Sequence, residues 1–243
     1  MNELFVILIL GISIILFAGF IQGLTSFGFA LFSIPILSKV IPLDVVVPII
    51  TLLCLISNAF IVYTVRRYIH FKEIWILTLA STLAVPLGVR LLIIVDISLL
   101  KIAIGVIIIC VAVLMLKGVT FHVDNQKIAS IPVGFLSGVL NGSLSLSGPP
   151  VALFLNNQQV EKQVFRANIA TYSLILNMMT IASFSYSGMM NSEVLTYSIT
   201  FIPAMIIGLI IGINMLKVVN ESLFKRITLY LIIASGIWTL ISA

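Results

Sequence analysis

The sequence predicts an all-α integral membrane protein with about eight transmembrane helices in two homologous four-helix repeats. The chain has 243 residues, of which 61% are hydrophobic and 9% charged. Its mean hydropathy is +1.27, which is outside the range of soluble domains. Charge-free windows of roughly membrane-spanning length follow one another along the chain. A glycine pattern near the start also recurs in the second half.

The charge-free windows predict eight spans. Two short windows extend to full length because Arg90 and Lys101 lie near helix ends, where long basic side chains snorkel to the interface. The first span is too long for a cleavable signal peptide and no basic residue precedes it. The predicted spans are residues 3–23, 45–65, 73–94, 98–117, 128–148, 167–187, 193–215 and 222–242. Residues 1–117 then form the first repeat, 118–127 a connecting loop, and 128–243 the second repeat.

Two charge-free runs, residues 4–38 and 128–160, are too long for single straight helices. A helix of 35 residues would be about 52 Å long, against a hydrocarbon core of about 30 Å. Each run is therefore predicted to break, near 23–28 and 142–148, where glycine, serine and proline gather. The apolar stretch after each break is short, so we expect a re-entrant segment there and not a full crossing.

Ordered matches between the two halves predict an internal duplication. The glycine motifs are Gly19-Phe20-x-x-Gly23 with Pro35, and Gly134-Phe135-x-x-Gly138 with Pro150. Further matches are residues 95–101 with 219–225 (four identities in seven), Asn58 with Asn177, and Gly88 with Gly212. Four spans in each half predict parallel repeats, whereas a fifth crossing segment in each half would invert them. The sequence leaves both arrangements open.

Small polar residues at the breaks are the candidate substrate-binding residues. Glycine lets backbone unwind, and proline begins a fresh helical turn whose free N–H groups and positive dipole end attract anions. The alternative for the glycines is close helix packing, and for the two mid-span asparagines an interhelical hydrogen bond. The candidates are Gln22, Gly23, Thr25, Ser26, Gly28, Ser33, Pro35, Asn58, Asn141, Ser143, Ser145, Ser147, Gly148, Pro149, Pro150 and Asn177.

The charged residues narrow the chemistry. Every carboxylate and both histidines lie in predicted loops or at the ends of predicted spans, which argues against a cation site and favours an anion held by dipoles and hydroxyls. Ser145-Leu146-Ser147-Gly148 is similar to the serine motif of rhomboid proteases, but without an intramembrane histidine we predict no enzyme. Cys54 and Cys110 are predicted packing residues, and no cofactor or metal is expected. An anion channel or a non-transporting membrane subunit is the alternative to a carrier.

The scattered basic residues indicate juxtamembrane anchoring and no nucleic-acid partner. Arg166 opens a span, where it is either an interfacial anchor or a group that attracts anions to an entrance. Alternation along the eight spans places Lys39, Arg90, Lys101, Lys162, Arg166, Lys217, Lys225 and Arg226 on one face. It places Arg66, Arg67, Lys72, Lys117 and Lys127 on the other. The larger group is predicted to be cytoplasmic, with both termini outside.

The glycine motifs, the Arg166-Ala167-Asn168 opening of a span and Gly208-x-x-x-Gly212 together resemble the sulfite exporter TauE/SafE family over essentially the whole chain. The resemblance implies a multi-span carrier in the cell (inner) membrane that exports sulfite, organosulfonates or related small sulfur anions. The sequence departs from the family pattern at Leu31 and Phe32, which are bulky, and at Ser145 and Ser147, where glycine is common. The particular anion, the coupling ion and the oligomeric state, a homodimer included, stay open.

Overall fold

The computed structural model describes residues 2–94 and 125–241, together with Ile102, Val106, Ile109 and Val113. The regular secondary structure of these described residues is helical, and they contain no strand. The predicted span 98–117, Cys110 and the repeat block 95–101 lie outside them, apart from those four positions. The described helices are α1 Asn2–Thr25, α2 Phe29–Leu37, α3 Leu43–Val65, α4 Phe71–Ile94, α5 Gln126–Leu144, α6 Gly148–Asn157, α7 Lys162–Tyr186, α8 Ser192–Leu216 and α9 Glu221–Ile241.

Five of these helical segments are long and apolar enough to cross a membrane. They are Leu8–Thr25, Leu43–Tyr68, Phe71–Ile94, Lys162–Tyr186 and Ser192–Leu216, the second of which includes a 3-10 turn at Arg66–Tyr68. The chain is therefore an all-helical, multi-pass membrane protein. The total of eight spans stays a prediction.

Both long apolar runs break, and they break within the predicted windows. Helix α1 gives way to α2 at Ser26, Phe27 and Gly28, which we call the first break; α5 gives way to α6 at residues 145–147, the second break. Helices α2 and α6 have nine and ten residues, so they are about 14 and 15 Å long, half of the hydrocarbon thickness. The left-handed turns lie at Ser26 (φ 66°), Gly28 (φ 100°) and Ser145 (φ 53°).

Gly23 and Gly142 do not form these turns, contrary to expectation, because each lies inside a helix at a close helix crossing. A Cβ atom on Gly23 would lie 2.3 Å from the carbonyl oxygen of Leu209 in α8. A Cβ on Gly142 would lie 2.4 Å from the carbonyl oxygen of Val85 in α4. Their small size is thus used for backbone contact between α1 and α8, and between α4 and α5.

The two crossings are alike in their glycine contacts. Gly23 lies against Gly212, and Gly142 lies against Gly88. Gly138, which the sequence matches with Gly23, lies against Ser81 of α4 one helical turn before Gly142. The internal duplication stays a prediction.

Helices α3 and α7 run in opposite directions, side by side. The end of α3, at Thr64 and Val65, and the start of α7, at Lys162 and Arg166, line one cleft. The backbone N–H of His70, which follows α3, also donates to Asn168 Oδ1 near the start of α7, at 2.9 Å. Helix α8 ends at the same cleft. This end of the helix bundle is called the basic end below.

Of the chain's 13 Lys and Arg residues, eleven are described, because Lys101 and Lys117 lie outside the described residues. Nine of these eleven lie at the basic end. Helices α4 and α5 run in parallel and both begin there, and α9 begins there after α8 ends. The nine are Arg66, Arg67, Lys72, Lys127, Lys162, Arg166, Lys217, Lys225 and Arg226. Lys39 and Arg90 lie at the other end.

The predicted division of charges between faces was therefore wrong. The prediction treated each broken run as a single span. In the structure, α2 and α6 each run back along the bundle, and each reversal changes the end at which the helices after it begin. Arg66, Arg67 and Lys72 consequently share an end with Lys162 and Lys217. Lysine and arginine concentrate on the cytoplasmic side of membrane proteins, so we expect the basic end to face the cytoplasm.

Cysteine labelling in intact cells should place the two ends on opposite sides of the membrane. In a variant lacking both native cysteines, Tyr186→Cys should react with an impermeant maleimide, because Tyr186 is 96% exposed at the end opposite the basic end. Tyr68→Cys, at the basic end and 45% exposed, should react only after permeabilisation. The reverse pattern would contradict the orientation.

Valine at Gly23 or Gly142 should lower the thermal stability of the purified protein. Each Cβ would overlap a backbone oxygen that cannot move alone, and such overpacking costs about 1–3 kcal/mol or more. Gly188→Asn is the matched control, because nothing lies within 4 Å of its Cβ position and asparagine tolerates its φ of 72°. Equal melting temperatures in all three variants would show that the crossings are not tight.

Candidate anion-binding site

A small cavity lies where the two breaks meet, near the midpoints of α3 and α7. Its volume is about 20 Å³, room for about one water molecule. No charged side chain lines it among the described residues. The lining residues are Gln22, Phe27, Gly28, Phe29, Ala30, Leu31, Cys54, Asn58, Ser145, Leu146, Ser147, Gly148, Pro149, Ser173 and Asn177.

Half of the sequence-predicted site residues line this cavity. They are Gln22, Gly28, Asn58, Ser145, Ser147, Gly148, Pro149 and Asn177. The others do not line it: Gly23, Thr25, Ser26, Ser33, Pro35, Asn141, Ser143 and Pro150. The apolar part of the wall and Ser173 were not predicted from the sequence, and Cys54 was predicted to be a packing residue only. Nothing distinguishes those apolar side chains from others in a membrane span.

Several predicted residues are absent from the wall because the helix itself satisfies them. Thr25, Ser33 and Ser143 each donate their hydroxyl to the carbonyl oxygen one helical turn back, at 2.9, 2.6 and 2.9 Å. Pro35 lies well inside α2 and does not begin a helix, because α2 starts at Phe29. The expectation of a helix start at Pro35 was wrong for this reason.

Two hydrogen-bonded amide pairs flank the cavity. Gln22 Nε2 donates to Asn58 Oδ1 at 2.8 Å, and Asn141 Nδ2 donates to Asn177 Oδ1 at 3.1 Å. The residues of each pair are 36 positions apart. Because both Oδ1 atoms accept these bonds, the Nδ2 groups of Asn58 and Asn177 are left as donors, and neither bonds another described residue. The wall thus carries two amide donors suited to an oxyanion.

The two pairs differ at the helix that follows each break. Gln22 Oε1 accepts the N–H of Phe29 at 3.2 Å and so caps α2. Asn141 is one methylene shorter; its Oδ1 has no partner in the described part of the chain. No side chain caps α6, and Pro149 and Pro150 have no N–H. The start of α6 therefore leaves the Gly148 N–H beside the cavity with no partner among the described residues.

The second break is held from outside by a chain of hydroxyl groups. Tyr172 donates to Ser137 Oγ at 2.7 Å, and Ser137 donates to the carbonyl oxygen of Ser147 at 2.7 Å. Ser81 Oγ lies 2.6 Å from the Tyr172 hydroxyl, and Thr51 hydrogen-bonds Ser145. The Ser147 hydroxyl makes no hydrogen bond to any described residue. Hydroxyl groups of α3, α4, α5 and α7 thus hold this break, and the Ser147 hydroxyl stays available to a ligand.

The first break is held by Arg166. This side chain is 3% exposed, and it donates from Nε to Ser26 Oγ at 3.1 Å and from Nη2 to the Gly23 carbonyl oxygen at 3.3 Å. Nη1 lies 3.4 Å from Gln163 Oε1. Within the described residues the only ion pair joins His70 and Glu73, so Arg166 has no carboxylate partner there. The guanidinium charge is therefore buried among neutral oxygens.

Arg166 is not an ordinary interfacial anchor. Helix α7 begins at Lys162, one turn earlier than predicted, so Arg166 lies inside the helix and its side chain reaches α1. Asn168, on the same turn, donates from Nδ2 to Glu73 Oε2 at 2.9 Å. The Arg166-Ala167-Asn168 motif therefore joins α7 both to the first break and to the start of α4.

Neutral donors, an uncapped helix start and one buried guanidinium nearby can together hold a small oxyanion. In the described ranges, no three His, Cys, Asp or Glu side chains cluster as metal ligands would.

Comparison with known proteins gives one match. The model of the sulfite exporter TauE/SafE family matches residues 11–239, nearly the whole chain. Neither the comparison with curated proteins nor that with solved structures gives a match. Members of the matched family are membrane transporters of the sulfite and sulfonate exporter type. The chain belongs to the sulfite exporter TauE/SafE family.

Proposed function

We propose that this protein is a secondary transporter that exports small sulfur-containing anions, such as sulfite or organosulfonates, across the cell membrane. The observation that carries the proposal is the small cavity between the two breaks. Amide and hydroxyl donors line it, and no described lining residue is charged. Such a wall favours an anion over a metal cation, because cations need oxygen acceptors, carboxylates above all.

The proposal includes two homologous repeats, 1–117 and 128–243, in inverted orientation. Three observations support it: the breaks at Ser26 and Ser145 are 119 positions apart, the two amide pairs have equal spacing, and α3 and α7 are antiparallel. In transporters built from inverted repeats, broken helices place the substrate near the midplane between the repeats. Rocking of one repeat against the other then opens the site to each side in turn.

In this proposal the anion binds between Asn58 and Asn177, with the Ser147 hydroxyl and the Gly148 N–H at the start of α6. Each of these groups donates and none carries a charge, so binding offsets the dehydration of the anion without trapping it. Sulfite is larger than a water molecule, so the wall has to move when it binds. Phe27, which lies 3.0 Å from the Cβ position of Gly148, joins the two breaks across the cavity.

Purified protein in liposomes should transport at least one of sulfite, thiosulfate, sulfoacetate, isethionate and taurine. Uptake should saturate and show counterflow, since a carrier exchanges substrate through one site. Repeating the assay with and without a proton gradient identifies proton coupling. Flux without saturation or counterflow would indicate a channel. No flux of any of the five, from protein that is folded by thermal stability, would contradict the proposal.

Ser147→Ala should weaken anion binding with little effect on folding, because the Ser147 hydroxyl bonds no described residue. Loss of one hydrogen bond to a charged ligand costs about 1.5–3 kcal/mol, or about a tenfold to hundredfold rise in Kd. Asn177→Ala should act similarly. Ser13→Ala is the matched control, since Ser13 is exposed on α1 and bonds only Ile9. Folded Ser147→Ala and Asn177→Ala proteins with unchanged affinity would refute this site.

A further inference from the structure

A second, wider cavity lies at the basic end, apart from the central one. This basic cleft has a volume of about 440 Å³ and forms where α3 and α8 end and α7 begins. Three of its lining residues are cations, Lys162, Arg166 and Lys217, and its other lining residues, such as Thr64 and Gln163, are neutral. Its charge and size suit a small organic or inorganic oxyanion, including one too large for the central cavity.

Arg166 belongs to both the basic cleft and the first break. It lines the cleft, while its guanidinium donates to Ser26 Oγ and to the Gly23 carbonyl oxygen. The Ser26 carbonyl oxygen in turn accepts from Gln22 Nε2 at 3.4 Å, and Gln22 lines the central cavity. Arg166 is therefore linked to the wall of the central cavity through Ser26 and Gln22.

The present partners of Arg166 are weak substitutes for an anion. Burying a guanidinium against neutral oxygens leaves its charge uncompensated, whereas an oxyanion would neutralise that charge and could accept two parallel N–H bonds from the planar guanidinium. Lys217, at the rim, likewise donates to a neutral atom, Asn214 Oδ1, at 2.9 Å. An anion that reaches the cleft can thus take Arg166 from the first break and release Ser26 and Gly23.

We propose that the basic cleft is a second oxyanion-binding site, the cytoplasmic vestibule of the transport path, in which Arg166 receives a sulfonate or sulfite before the central cavity opens. This inference rests on the proposed transport function. A phospholipid headgroup phosphate has the same recognition chemistry. The free anion is favoured because Arg166 leads from the cleft towards the central cavity.

Thiol reactivity tests the cleft without depending on transport. Thr64→Cys and Tyr186→Cys are each made in a variant lacking the native cysteines and labelled with two methanethiosulfonate reagents, the anionic ethylsulfonate and the cationic ethylammonium. The ratio of the anionic to the cationic labelling rate should be about tenfold higher at Thr64→Cys than at Tyr186→Cys, because cations concentrate anions locally. Adding Arg166→Gln or Lys217→Gln should reduce this preference. Lys127→Gln should not, since Lys127 lies at the same end outside the cleft. Equal preference at Thr64→Cys and Tyr186→Cys would overturn the proposal.

Transport kinetics test the role in the path. With the basic end facing the added sulfite, Lys217→Gln should raise KM about threefold to tenfold, more so at low salt. Its kcat from the basic end, and its KM for sulfite added at the opposite end, should change little. Its kcat from the opposite end should fall by the same factor, because one equilibrium constant governs both directions. A KM rise equal from both ends, or none, would overturn the vestibule. Sulfonate preference at Thr64→Cys without transport of any sulfur anion would instead refute the transport function and leave an oxyanion-binding cleft.

Lipid composition separates the two sources of oxyanion. The thiol assay is repeated in vesicles of phosphatidylcholine alone and with added phosphatidylglycerol. A vestibule for free anions keeps its sulfonate preference in both, and sulfite slows the labelling. Loss of the preference with phosphatidylglycerol, together with phospholipid retained by wild-type protein but not by Lys217→Gln, would assign the cleft to a lipid headgroup and overturn the proposal.

Discussion

The main physical constraint on this structure is that backbone broken inside a membrane must find its hydrogen bonds within the protein. Each break frees carbonyl groups at the end of one helix and N–H groups at the start of the next, at a depth where lipid offers no partner. At the first break, Gln22 caps α2 and Arg166 binds the Gly23 carbonyl oxygen. At the second, Asn141 cannot repeat the cap, and the start of α6 stays open to the cavity. The candidate anion site lies where backbone and side-chain donors of the second break bond no described residue.

The two breaks are alike in backbone but differ in support. Ser26 and Ser145 share the left-handed turn, and each break follows an amide that bonds a mid-helix asparagine. Hydroxyl groups of α3, α4, α5 and α7 hold the second break. The first is held by Gln22 and by the Arg166 guanidinium, which also lines the basic cleft. In the proposed mechanism an arriving anion therefore loosens the first break and leaves the second in place, which gives transport an order of events.

Hydropathy and length were enough to predict the membrane class, the described helix positions within a few residues, and both breaks. These follow from the bilayer's thickness, which acts on every residue alike. Hydropathy could not predict at which end of the bundle each basic residue lies, because α2 and α6 are too short to be recognised as separate passes. Arg166 was misplaced because one turn of α7 precedes the apolar stretch, and its partners Gly23 and Ser26 lie more than 100 positions away in sequence. The roles of Gly23 and Gly142 depended on α8 and α4, which no local pattern identifies.

The most direct measurement is the position of a bound anion. Selenite has the shape and charge of sulfite, and its selenium can be located by anomalous scattering in crystals of the protein. We expect a selenium peak in the central cavity that places the selenite oxygens within hydrogen-bonding distance of Asn58 Nδ2, Asn177 Nδ2 and the Ser147 hydroxyl. A second peak is expected beside Arg166 when the basic cleft is occupied. Selenite bound elsewhere, with the central cavity empty at saturating concentration, would contradict the proposed site.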